Sequence, residues 1–161
     1  MKTGGERGAA PDCTRRRFAI VAARFYRDLT DNLIDGAQRA LHDCGVADSD
    51  IYRYDVPGCF ELPLACRNLI HTERFDAIVA LGVVIRGDTP HFDFVAGECA
   101  RGIMDVQLAT GIPIGFGVLT TENRAQAEER ADPVRGDKGY EAAIAAATLV
   151  VLPQAMPAPM R

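Results

Sequence analysis

The stretch 76–85, DAIVALGVVI, constrains the fold more than any other part of the chain. It is apolar without alternation and rich in β-branched residues. A strand with one wet face alternates apolar and polar side chains, whereas a strand covered on both faces reads as a continuous run. The cover that suits it is a layer of helices on each side of a parallel sheet. A second apolar run, 18–23 (FAIVAA), predicts another buried strand, and 51–56 and 113–119 predict two more. Helical spacing fills the gaps between them. In 28–44, Leu29, Leu33, Ala37 and Leu41 recur about once per turn on one face, and Gly45 follows as a stop. The segment 62–70 predicts a short helix that tolerates Pro63 in its first turn. After the turn Arg86-Gly87-Asp88, Thr89 can cap a helix with Pro90 at its first position. That helix runs to about 109, with Phe92, Val95, Cys99, Ile103 and Val106 on one side, and Gly111 ends it. Helices over 123–131 and 139–152 complete the series.

Strands alternating with helices predict an α/β chain. The expected form is a three-layer, flavodoxin-like fold, a four-stranded parallel sheet flanked by helices on both faces. The chain has 161 residues and shows no repeat or linker, which suits one domain. We expect that domain over 16–153, between a flexible N-terminal tail, 1–15, and a second tail, 154–161.

Composition narrows the function. A net charge of −4 speaks against a nucleic-acid surface, and no apolar run approaches the ~20 residues of a membrane span. Residues 1–11 are polar and Gly-rich, without the apolar core of a secretory signal. The five cysteines are odd in number and form no CxxC pair, and the three histidines lack ligand spacing. Neither a disulfide framework nor a metal site is predicted, and free thiols suit the cytoplasm.

In open parallel sheets, ligands bind outside the carboxyl ends of the strands. Four segments follow strands here: Arg24-Phe25-Tyr26, Pro57-Gly58-Cys59-Phe60-Glu61, Arg86-Gly87-Asp88-Thr89-Pro90-His91, and Leu119-Thr120-Thr121-Glu122. All are richer in polar, glycine or aromatic residues than the strands before them. In the third, Gly87, Asp88 and Thr89 precede a helix start, where free N–H groups and the helix dipole suit a phosphate. His91 stands in the first helical turn beside it, and histidine is the side chain that trades protons around neutral pH. Arg130 and Lys138 flank the loop 131–137, and Lys138 is one of only two lysines against sixteen arginines. Phe25, Phe60 and Phe116 lie at or near strand ends and can stack on a planar ring. Each has a plainer reading on its own: a surface histidine, two solvated cations, and core phenylalanines.

Taken together the segments resemble the lumazine synthase family. The matching stretches are ARF (23–25), VPGCFELPLA (56–65), DAIVALGVVIRGDTPHFDFV (76–95), GIPIGFGVLTTENRAQAEERA (111–131) and KGYEAA (138–143). They cover about residues 17–150, in order and without evident gaps. The resemblance implies condensation of 5-amino-6-(D-ribitylamino)uracil with 3,4-dihydroxy-2-butanone 4-phosphate. The product is 6,7-dimethyl-8-ribityllumazine, the penultimate compound of riboflavin biosynthesis, with loss of phosphate and water. It implies no metal or cofactor, and a homopentamer, alone or built into a decamer or larger shell, with active sites between subunits.

It also implies residue roles. Phe25 resembles the aromatic that stacks on the pyrimidine. Cys59, Phe60 and Glu61 resemble the segment that binds this substrate, Cys59 and Glu61 by holding the ribityl chain. Val84 and Ile85 resemble the strand end that contacts the heterocycle through its backbone. Gly87, Asp88 and Thr89 resemble the phosphate turn, and Arg130 the guanidinium that clamps that phosphate. His91 resembles the proton-transfer residue, and Lys138 a further cation of the site. Phe116 resembles the aromatic that a neighbouring subunit contributes.

Departures are Tyr26 for a common Asn, Cys59 for a common Ala, and an acid, Asp88, in the phosphate turn. The loop 132–137 also differs from the Gly- and Lys-rich loop of icosahedral members, which argues against a capsid. Rival readings are an archaeal-type riboflavin synthase, a flavin- or lumazine-binding protein without turnover, and a generic flavodoxin-like regulator.

Overall fold

The computed structural model describes residues 9–155. Its framework is a four-stranded sheet of β1 (Phe18–Ala23), β2 (Ile51–Val56), β3 (Ala77–Ile85) and β4 (Ile114–Thr121), all parallel, in the order β2-β1-β3-β4. Five helices connect and cover it: α1 (Arg27–Asp43), α2 (Leu62–Ile70), α3 (His91–Thr110), α4 (Arg124–Ala131) and α5 (Lys138–Ala155). Short 3-10 turns at Asp48–Asp50 and Cys59–Glu61 precede β2 and α2.

The unbroken apolar character of β1 and β3 has the expected cause. Phe18, Ile20 and Ala22, with Ala77, Val79, Leu81 and Val83, enter one core with α1, α4 and α5. Ala19, Val21 and Ala23, with Ile78, Ala80 and Val84, enter a second core with α2 and α3. Period-2 alternation is present, but both faces are dry. The outer strands β2 and β4 show the broken patterns of sheet edges. On α1 the expected stripe of Leu29, Leu33, Ala37 and Leu41 is buried, and Gly45 (φ 80) and Gly111 (φ 70) stop α1 and α3 in the left-handed region.

Several boundaries differ from expectation. β4 runs on to Thr121, because β3 pairs with it as far as Ile85↔Thr121. Leu119, Thr120 and Thr121 are therefore strand residues and not a loop after it. The first helical residue of α3 is His91, so Pro90 precedes the helix, and the Thr89 hydroxyl accepts only a 3.4 Å bond from the His91 N–H. α5 continues through Pro153 to Ala155, since a proline near a helix end removes one bond that fraying weakens anyway. Of the expected N-terminal tail, residues 1–8 lie outside the described residues. Within 9–15, Cys13 is buried and its N–H donates to the Cys44 carbonyl at 2.8 Å. Of the second tail, 156–161 lie outside the described residues.

Close packing of α5 depends on small residues. A Cβ on Gly115 of β4 would overlap the Ala142 carbonyl, and Ala142, Ala143, Ala146 and Ala147 form the buried side of α5.

Candidate active site

The sheet order places the β1→β2 connection on one side of β1 and the return to β3 on the other. The loops therefore diverge between β1 and β3, the switch point where doubly wound sheets hold ligands. A cleft of about 550 Å³ opens there. Phe25 and Tyr26 after β1, Gly58 to Glu61 after β2, and Val83, Val84, Ile85, Gly87, Thr89 and His91 at the end of β3 line it. Phe92, Phe94 and Val95 of α3 close its far wall.

The turn after β1 is pinned from three directions. The Thr30 hydroxyl is buried, within hydrogen-bond distance of the carbonyls of Ala23 (2.9 Å) and Tyr26 (2.8 Å). The Arg24 N–H donates to Val56 O at 2.9 Å, and its guanidinium, 10% exposed, donates to Asp31 at 2.8 Å and lies 3.7 Å from Asp55. Phe25 itself is 75% exposed, and Tyr26 meets it edge-on, with centroids 5.0 Å apart. An open aromatic face held by a rigid turn is a stacking platform.

The end of β3 carries the second feature. Pairing with β1 stops at Ala22↔Leu81, whereas pairing with β4 continues to Ile85. The residues Gly82 to Ile85 therefore have no strand partner on the β1 side. Alternate residues of a parallel strand bond to opposite sides, so Val83 and Ile85 turn their N–H and C=O groups toward the cleft, where the edge of a heterocycle can complete the ladder; the Val83 carbonyl meets the Cys59 thiol at 3.8 Å. Room beneath comes from Gly82, whose Cβ would lie 2.5 Å from the Cys59 sulfur. The turn that follows is braced by Arg86, which donates to Glu122 at 2.8 Å and to Asp93 at 3.1 Å and stacks over Phe92 at 4.2 Å. Gly87 and Thr89 face the cleft from this turn; Asp88 is exposed and is not part of the wall.

Sequence reasoning placed Phe25, Cys59, Phe60, Glu61, Val84, Ile85, Gly87, Thr89 and His91 at one site, and the fold brings all of them to one cleft. It did not single out Phe94, or Arg24 and Arg86 as braces. It set Phe92 and Val95 only on one side of the helix with Cys99, Ile103 and Val106, although their place in the first turns after the phosphate turn was a usable signal. Phe116, Arg130 and Lys138 do not line the cleft. Phe116 is an exposed residue of β4, and the two cations stand on α4 and α5, which pack against that strand and against α1. Arg130 donates to the Gln126 carbonyl at 3.1 Å and has no carboxylate partner among the described residues, and Lys138 pairs with Glu141 at 2.6 Å.

The cysteines are all free and buried. Desolvation pushes the Cys59 thiol up to about 12, with the neighbouring Cys99 adding to the effect, and burial does the same to Cys44, Cys66 and Cys99. These folded values exceed the ordinary 9.0, so the unfolded chain gives up those protons first. Their contribution to stability is complete below about pH 9 and is lost as pH rises toward 12. Iodoacetamide at pH 7.5 is therefore expected to leave the native thiols unlabelled over a time that fully labels the denatured chain, and denaturant midpoints are expected to fall between pH 9 and 11. Rapid native labelling of Cys59, read by mass spectrometry, would contradict this.

The family model described as 6,7-dimethyl-8-ribityllumazine synthase matches residues 15–154. A protein of that name from Cutibacterium acnes is 52% identical over 143 residues, covering 87% of this chain and 84% of its own length. Another from Syntrophus aciditrophicus is 47% identical over 136 residues, covering 84% of this chain and 88% of its own. With the parallel sheet, the switch-point cleft and these matches together, the chain belongs to the 6,7-dimethyl-8-ribityllumazine synthase family.

Proposed function

We propose that the chain carries out its family's reaction in this cleft, joining 5-amino-6-(D-ribitylamino)uracil to 3,4-dihydroxy-2-butanone 4-phosphate. The observation that carries the reading is the join of an open aromatic platform, a bare strand end and a glycine turn beside a histidine within one cleft. Phe25 stacks on the pyrimidine, and the backbone of Val84 and Ile85 meets its edge. Cys59, Phe60 and Glu61 border the ribityl chain, with Glu61 accepting its hydroxyl bonds. The N–H groups of Gly87, Asp88 and Thr89 receive the phosphate of the second substrate. The amine then attacks the ketone, a Schiff base forms, phosphate is eliminated and the ring closes. Each step moves a proton, and His91 is the group on the cleft wall suited to carry it. Holding both substrates at one place contributes as much again.

The active assembly in this reading is a homopentamer. Phe94, Met104 and Leu108 expose apolar surface on α3, and Phe116 exposes more on β4. Open apolar faces of this kind mark interfaces. In a closed ring the β4 side of one subunit meets the cleft of the next. Phe116, Arg130 and Lys138 then complete the neighbour's site. The five free cysteines suit a reducing compartment, and we place the enzyme in the cytoplasm.

The test is lumazine formation, followed by absorbance and fluorescence, against the same substrates without protein, with sedimentation of the active species. Marked acceleration by a pentamer is expected. Tight binding of the pyrimidinedione without acceleration would favour a binding protein instead.

A further inference from the structure

We propose that Arg39, on the face of α1 away from the cleft, is a positioning residue for the reaction: through Asp137 it sets the loop that carries Arg130 and Lys138. The inference rests on the reading of Lys138 as a cation of the phosphate site.

Asp137 immediately precedes Lys138, is 1% exposed and has φ 49. A non-glycine residue in the left-handed region is costly unless its surroundings hold it there. Arg39 does so with both ends of its fork, Nη2 donating to one Asp137 oxygen at 2.8 Å and Nη1 to the other at 3.3 Å. Its Nε donates to Asp35 at 2.8 Å, which fixes the plane of the guanidinium. The same guanidinium lies over the Tyr140 ring at 5.8 Å, and the Tyr140 hydroxyl donates to Asp43 at 2.7 Å.

Backbone contact sharpens the arrangement. A Cβ on Gly36 would lie 2.7 Å from an Asp137 oxygen and 2.8 Å from the Tyr140 nitrogen, and a Cβ on Gly139 would overlap the Leu33 carbonyl. α1 and the start of α5 thus touch backbone to backbone, and Lys138 stands between two residues locked to α1. The loop closes the other way as well. The Asp137 N–H donates to the Asp132 carbonyl at 2.9 Å, and a Cβ on Gly136 would lie 2.5 Å from the Arg130 Cα. One clamp therefore sets both cations.

Charge requires the same pairing. Asp137 is a buried carboxylate next in the chain to Lys138. The Arg39 guanidinium offsets that buried charge beside the position of Lys138.

The experiment measures KM for both substrates and competitive inhibition by inorganic phosphate, on assembled full-length protein, for Arg39→Met, Arg39→Lys and Lys138→Met. Arg39→Met is expected to raise KM for the sugar phosphate and the inhibition constant of phosphate about tenfold, since small misplacements of a positioned group carry such factors. KM for the pyrimidinedione should stay within twofold. Arg39→Lys keeps the charge without the fork and should recover part of the loss; should Arg39→Met fail to fold, a selective rise in sugar-phosphate KM in Arg39→Lys is sufficient support. Equal shifts in both KM values, or no shift in either Arg39 variant while Lys138→Met is impaired, would overturn the clamp. A Lys138→Met enzyme with unchanged phosphate binding would remove the reading of Lys138 itself, and the proposal with it.

Discussion

Replacing Arg130 with Met is expected to lower kcat/KM for the sugar phosphate by about 10²-fold while KM for the pyrimidinedione changes little; a charged bidentate contact is of that order. The basis is a contrast among arginines. Arg124 pairs with Asp28 and Glu128, and Arg135 pairs with Asp132. Arg130, at the edge of the loop, has its guanidinium bonded to the Gln126 carbonyl and to no carboxylate among the described residues. A guanidinium spared from local acids is available to an anion. Because Arg130 stands on the β4 side and His91 on the cleft, the two defects should complement. In the proposed homopentamer, mixed rings of Arg130→Met and His91→Ala subunits would contain some interfaces at which both residues are intact, so remixing after dissociation should recover activity that neither variant has alone. Failure to recover any would argue against a site shared between subunits.

The second large effect is expected at His91. Loss of its imidazole in His91→Ala should slow turnover at saturating substrate on the order of 10²-fold, the usual scale for a positioned proton carrier. Binding should survive, because Phe25, Glu61 and the β3 end are untouched. Added imidazole should restore part of the rate. An alanine variant with unchanged kcat would remove His91 from the mechanism and leave positioning of the two substrates as the whole of catalysis.

Both experiments address residues visible in the sequence, and so does most of the cleft. The order of strands and helices was legible because apolar period, Gly45 and Gly111 are local signals. The cleft segments were legible because chain order in a parallel sheet already says which loops share an end. Less legible was whatever depends on partners far apart. Thr121 looked like a loop residue until pairing with Ile85 drew it into β4. Tyr26 read as a departure from the family; in the fold it lines the cleft and meets Phe25 edge-on.

The layer architecture is written in local patterns, because continuous β-branched runs must be covered on both faces and helical stripes must be buried against something. So is the chemistry available at the strand ends. Folding in three dimensions sets where β3 outruns β1, that Phe116, Arg130 and Lys138 lie apart from the cleft, and that Arg39 reaches Asp137 across 98 positions. Those facts come from register, helix crossing and side-chain reach, which arise when distant segments exclude water together and leave no trace in any local window of the chain.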